Sequence, residues 1–125
     1  MLKSGLSAKV MLKVSEQDTA IAHRSGDVDV LATPRLVALC EEACCAAIKD
    51  FVDIGQTTVG MRVQFDHVAP SPIGDVVYAE ATLQRIEGKR LTFSVNVKDS
   101  RGLVAAGVLV RALVNREEFL KKATL

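Results

Sequence analysis

Residues 33–52 read TPRLVALCEEACCAAIKDFV, and the periodicity of this stretch decides the architecture. Thr33 offers an oxygen to the free N–H groups of a first helical turn and Pro34 suits the first helical position, so a helix is expected to start at Thr33-Pro34. At about 100° per residue, Arg35, Glu42 and Lys49 fall on one polar line, with Asp50 beside it. The remaining surface, from Leu36, Val37, Leu39 and Cys40 through Ala43, Cys44, Ala47, Ile48 and Phe51, is too broadly apolar for a helix lying on a surface. It calls for a sheet that wraps it.

Glu41 does not share the polar line. Its neighbours three and four residues away are Val37, Ala38, Cys44 and Cys45, an apolar setting for a carboxylate. An unpaired buried carboxylate is expensive, so Glu41 must be paired, neutral, or turned toward a cavity. One reading is an acid on the helix flank that reaches solvent or an arginine; the other is a catalytic carboxylate, which needs partners.

Outward from the helix, the chain reads as strands separated by turn signals. Leu6–Val14 is an expected first strand, and residues 18–32 are mostly connection, turning at Ser25-Gly26-Asp27. After Gly55 come strand-like runs at 57–67, 76–86, 91–99 and 103–114, parted by VAPSPIGD, EGKR and SRG. The tail REEFLKKATL adds a short helical turn. One apolar helix beside about five hairpin-linked strands is an α+β layout, an antiparallel sheet wrapped around one long central helix. The last strand is apolar on both faces from Leu103 to Val110, as expected of a central strand or of an edge buried against a second copy, and a homodimer is the preferred reading.

A chain of 125 residues is the length of one domain, 1–125. Its formal charge of +1, with Lys89-Arg90 and Lys121-Lys122 as the only adjacent basic pairs, gives no stripe for nucleic acid. Four phenylalanines and one tyrosine give no base-stacking array. No signal-peptide core and no run of eighteen apolar residues is present, so the expected protein is cytoplasmic and makes no membrane contact. Cys40, Cys44 and Cys45 share one helix, where disulfide geometry is poor and metal spacing is not met; they read as small apolar fillers, and no metal or cofactor is expected.

In TTVGMRVQFDH, simple alternation sets Val59, Met61, Val63 and Phe65 on one face, with His67 continuing it toward the helix or ending the strand outward. Arg111 interrupts VLVRALV and either snorkels or charges a pocket. Glu41, His67 and Arg111, with Thr33 at a helix start, are the chemistry expected of acyl transfer: carboxylate, imidazole and N–H groups for an oxyanion. No G-x-S-x-G turn or glycine-rich nucleotide loop competes.

At these residues the chain resembles a known family. TP at 33–34 with EE at 41–42, Gly60 with His67, APSPIG at 69–74 and IEGKRLTFSVNVKDSRGLVAAGVLVRALV at 86–114 look like the hot-dog-fold thioesterases, most nearly the fluoroacetyl-CoA thioesterase type. The resemblance runs from Leu31 onward and implies a hot-dog fold that hydrolyses a small acyl-CoA or related thioester at a dimer interface, in a homodimer or a higher oligomer. It further implies that Thr33, Glu41 and His67 are catalytic and that Gly60 and Arg111 line the acyl pocket. The segment HRSGDVDVLATP departs from the fluoroacetyl enzyme, carrying none of the phenylalanines that close its pocket. Behind this stand a non-catalytic acyl-CoA-binding dimer and, further back, an enoyl-CoA hydratase, for which GDVDVLATP lacks the histidine.

Overall fold

The expected helix runs from Thr33 to Ile48 (α2) in the computed structural model, which describes residues 1–124. Its N-cap is Ala32, not Thr33: no side chain caps the first turn, and the Thr33 hydroxyl is spent elsewhere. The start of α2 is held instead from outside. The Leu31 N–H donates to the Ser71 carbonyl and the Ala32 N–H to the Asp18 carbonyl, while Arg35 Nε meets Asp18 Oδ1 at 2.9 Å. Burial alone would raise the Asp18 carboxyl, but bonds from Ser15 and the nearby Arg35 outweigh it and hold the group below the usual carboxylate range.

Five strands form one antiparallel sheet, β1 (Ser7–Lys13), β2 (Gln56–His67), β3 (Val76–Glu87), β4 (Arg90–Asp99) and β5 (Gly102–Asn115), in the order β1-β3-β4-β5-β2. The chain between β1 and α2 forms a 3-10 turn at Glu16–Asp18 and the one-turn α1 (Ala20–His23); α3 (Arg116–Lys121) follows β5. The tail helix is therefore present, and the last residue of that tail, Leu125, lies outside the described residues. β5 is an interior strand, flanked by β4 and β2; its helix-side face is buried, whereas Val108 on the other face is exposed. The core lies between α2 and the sheet: Leu36, Leu39, Cys40, Ala43 and Cys44 meet the inward alternation of β3 (Val77, Ala79, Ala81, Leu83) and β4 (Leu91, Phe93, Val95, Val97).

Two points correct the sequence reading. The sheet covers only one side of α2, so Ala38 and Cys45 are exposed, and Cys45 is no buried filler as Cys40 and Cys44 are. The simple alternation of β2 also fails, because its register against β5 shifts between Gly60 and Arg62. Met61 is the extra residue of a β-bulge, and parity reverses across it. Thr58 and Gly60, opposite Leu113 and Arg111, share the helix-side face with Val63, Phe65 and His67, opposite Leu109, Gly107 and Ala105. Val59 and Arg62 face away.

Strands β2 and β5 approach each other closely at Gly107. A β-carbon there would strike the Gln64 carbonyl oxygen and stand 2.9 Å from Phe65 Cα, both backbone atoms that cannot turn aside. Gly107→Ala should therefore lower unfolding free energy by about 1–3 kcal/mol, read as a lower urea midpoint at unchanged slope; an unchanged midpoint would show that the strands separate freely.

Candidate active site

Glu41 projects from α2 over β2, and a guanidinium meets it there. Arg111 of β5, 7 % exposed, sends Nη1 to Glu41 Oε2 at 3.0 Å, Nε to Thr58 Oγ1 at 3.0 Å and Nη2 to the Thr58 carbonyl at 3.0 Å. A buried guanidinium is tolerable only with its donors met and its charge balanced, and the Thr58 oxygens with the Glu41 carboxylate do both. Arg111 therefore does not snorkel. Glu41 keeps 36 % of its side chain exposed, so it is anchored through one oxygen while remaining open to a ligand. Gly60 makes the approach possible, since a β-carbon there would overlap Glu41 Oε2.

His67 ends β2 on the same face, and its Nδ1 lies 2.8 Å from Thr33 Oγ1 at the start of α2. Burial lowers its pKa below the ordinary 6.5, so the ring is neutral at pH 7. Nε2 is buried and makes no hydrogen bond among the described residues. A cavity of about 360 Å³ opens beside this pair, walled by Val28, Val30, Leu31, Val68, Ala69 and Pro70 together with Ser25, Asp27, Thr33 and His67, and by no Phe, Tyr or Trp. Sequence reasoning gave the loop residues no individual role; it marked only the turn at Ser25-Gly26-Asp27, the lack of phenylalanines in residues 23–34 and the APSPIG run.

The expected site residues thus form two pairs, not one cluster. Thr33 meets His67 and Glu41 meets Arg111, but eight residues separate Thr33 from Glu41, about 12 Å along the helix axis. α2 and β2 run in opposite directions, so Thr33 meets the C-terminal end of β2 and Glu41 its Thr58–Gly60 stretch. Two of the thiols do not compete as nucleophiles: burial pushes Cys40 and Cys44 up to about 12. Among the described residues no three His, Cys, Asp or Glu side chains gather as metal ligands, and no helix is long and apolar enough to cross a membrane.

A five-stranded antiparallel sheet cradling one long helix, with a carboxylate on that helix, is the hot-dog fold. The same fold is seen in the crystal structure of a hot-dog-like protein from Thermanaerovibrio acidaminovorans, 26 % identical at TM-score 0.88 over 96 % of this chain and 89 % of that one. The fluoroacetyl-CoA thioesterase FlK superposes at TM-score 0.93 with 26 % identity, covering 98 % of this chain and 96 % of that chain. A curated relative, the fluoroacetyl-CoA thioesterase of Streptantibioticus cattleyicolor, is 32 % identical over 94 residues, 75 % of this chain and 68 % of that protein. The family model for fluoroacetyl-CoA-specific thioesterases matches residues 14–117. The chain belongs to that family.

Because the folded-state pKa of His67 lies below the unfolded 6.5, the unfolded chain takes up the proton first as pH falls. Stability is then unaffected by this group above about pH 6.5 and is lost on the way down to the folded-state value. In His67→Gln the unfolding free energy should change less over that window than in wild type. An equal loss in both proteins, from urea titrations at stepped pH, would place the proton elsewhere.

Proposed function

We propose that the protein hydrolyses acyl-CoA thioesters, with Glu41 as the catalytic carboxylate and the Thr33–His67 pair as the proton-handling and orienting unit. The observation that carries this is the anchoring of Glu41: one oxygen bound to a buried arginine, the side chain still open to a ligand. Membership of a thioesterase family supports it. Water adds to the thioester carbonyl carbon as Glu41 takes its proton, and the carbonyl oxygen gathers charge near the α2 N-terminus. The C–S bond then breaks, and the proton returns to the thiolate through His67, whose neutral ring can accept and pass it on. In this reading Arg111 aims Glu41 through one carboxylate oxygen, and Gly60 leaves room for it.

The working unit in this reading is a homodimer. β2 is an edge strand of twelve residues whose outer edge is unpaired, with Met61 at 50 % and Val63 at 47 % exposure beside the uncovered Ala38 flank of α2. Antiparallel pairing of two such edges sets the His67 end of one strand beside the Gln56–Gly60 end of the other. One copy's Thr33–His67 pair then faces the other's Glu41. The aliphatic cavity next to Thr33 takes the acyl group, and its lack of aromatic walls fits small and branched acyl groups without selection for fluoroacetyl. The free thiols fit a cytoplasmic location.

Two measurements test this. Loss of thioester absorbance with acetyl-, isobutyryl- and fluoroacetyl-CoA should fall in Glu41→Gln by at least about 10³-fold, read on protein that circular dichroism shows folded, because the variant leaves the buried Arg111 charge without its carboxylate. Measurable acyl-CoA binding without turnover in wild type would move the protein to an acyl-binding role. Mixing inactive Glu41→Gln with inactive His67→Ala should restore roughly a quarter of wild-type activity through mixed dimers. No recovery after proven subunit exchange would put the whole site within one chain.

A further inference from the structure

The face of the sheet turned away from α2 carries a second polar assembly. Row by row across β3, β4, β5 and β2, Arg85 lies opposite Thr92, Thr92 opposite Val110, and Val110 opposite Arg62. Arg90, two residues from Thr92 on the same face, completes three guanidiniums from three strands around a depression of about 190 Å³. Val108 and Val110 lie among its lining residues. A single carboxylate, Glu87, answers the three charges, and it binds Arg85 at 3.0 Å. Among the described residues Arg62 and Arg90 take part in no ion pair.

Two irregularities build this assembly. The β2 register shift at Met61 turns Arg62 outward, and an independent shift in β3 between Leu83 and Arg85 turns Arg85 and Glu87 outward. Without either bulge, that arginine would face the helix layer. Bulges re-aim side chains, and here two on different strands aim guanidiniums at one depression. Like charges gathered over an apolar floor repel unless an anion joins them. The arginine fork matches phosphate oxygens in pairs. At about 190 Å³ the depression has room for a diphosphate group.

We propose that this depression, on the sheet face opposite Glu41, is a binding site for the diphosphate group of a small phosphorylated molecule, held by Arg62, Arg85 and Arg90. The inference does not rest on the thioesterase reading, because its readout is binding.

The test is calorimetric titration of the full-length protein with inorganic pyrophosphate at low salt, against the Arg62→Gln/Arg90→Gln double variant. Both positions are exposed on the sheet face away from Glu41, so the variant should keep wild-type folding and turnover rate. The expected result is saturable binding that weakens at least about tenfold in the variant and loses part of its salt dependence. Absent binding, or equal binding to both proteins, would overturn the site. Competition then identifies the source of the phosphate. Displacement of pyrophosphate by CoA but not by pantetheine, with a raised KM and unchanged kcat in the variant, makes the group the substrate's own. Binding that CoA does not disturb makes it a separate phosphorylated effector; both outcomes support the depression as a diphosphate site.

Discussion

One extra residue in β2 organises this molecule. Strand side chains alternate with a period of two, so a strand with an apolar inner face cannot place Gly60 and His67 inward together without a break. The bulge at Met61 is that break. It lets Gly60 lie beneath Glu41 and lets His67, seven residues later, turn back toward Thr33. It also sends Arg62 to the opposite face. The inner-face pairs and the outward turn of Arg62 therefore depend on a single insertion of backbone.

The second constraint is electrostatic. Arg111 lies opposite Leu91 and Gly60 on the inner face, where an isolated guanidinium would cost several kcal/mol, on the order of the penalty for a buried ion. Two bonds to Thr58 and one to Glu41 offset that cost, and the same bonds leave Glu41 with a single free oxygen. The carboxylate is held by its partner without being smothered by it. An acid in that state can accept a proton or approach a carbonyl, whereas the deeply buried thiols one turn away cannot ionise.

The fold was legible because its signals are periodic. The 33–52 helix pattern, the turn residues between runs and the doubly apolar last strand each reflect burial, and burial is written in spacing. Glu41 was legible for the same reason, as a departure from that spacing. The bulge was not, since one inserted residue leaves composition and local pattern intact and appears only in the pairing of β2 with β5. Thr33 was misread as a cap because Thr-Pro is a common helix start, and the competing partner, His67, lies 34 residues away. Cys45 was misread because the sheet covers only one side of α2, and the extent of that cover is a tertiary fact.

Family membership constrains the scaffold more tightly than the acyl preference. On the proposed reading, the helix, the sheet and the two polar pairs form a frame that serves any thioester carbonyl, since the chemistry at that carbon is common to all acyl groups. Distinguishing one small acyl group from another needs walls in close contact with it, because a single methylene in an apolar pocket is worth only about 1–3 kcal/mol. On the proposed reading those walls are the 25–31 loop and residues 68–70, where valine, leucine, alanine and proline stand beside Ser25 and Asp27, without Phe, Tyr or Trp. The aliphatic part of such a wall answers to size and shape. On that reading selectivity resides in the loop before α2, which can change its residues without disturbing Glu41, Arg111 or the bulge that seats them.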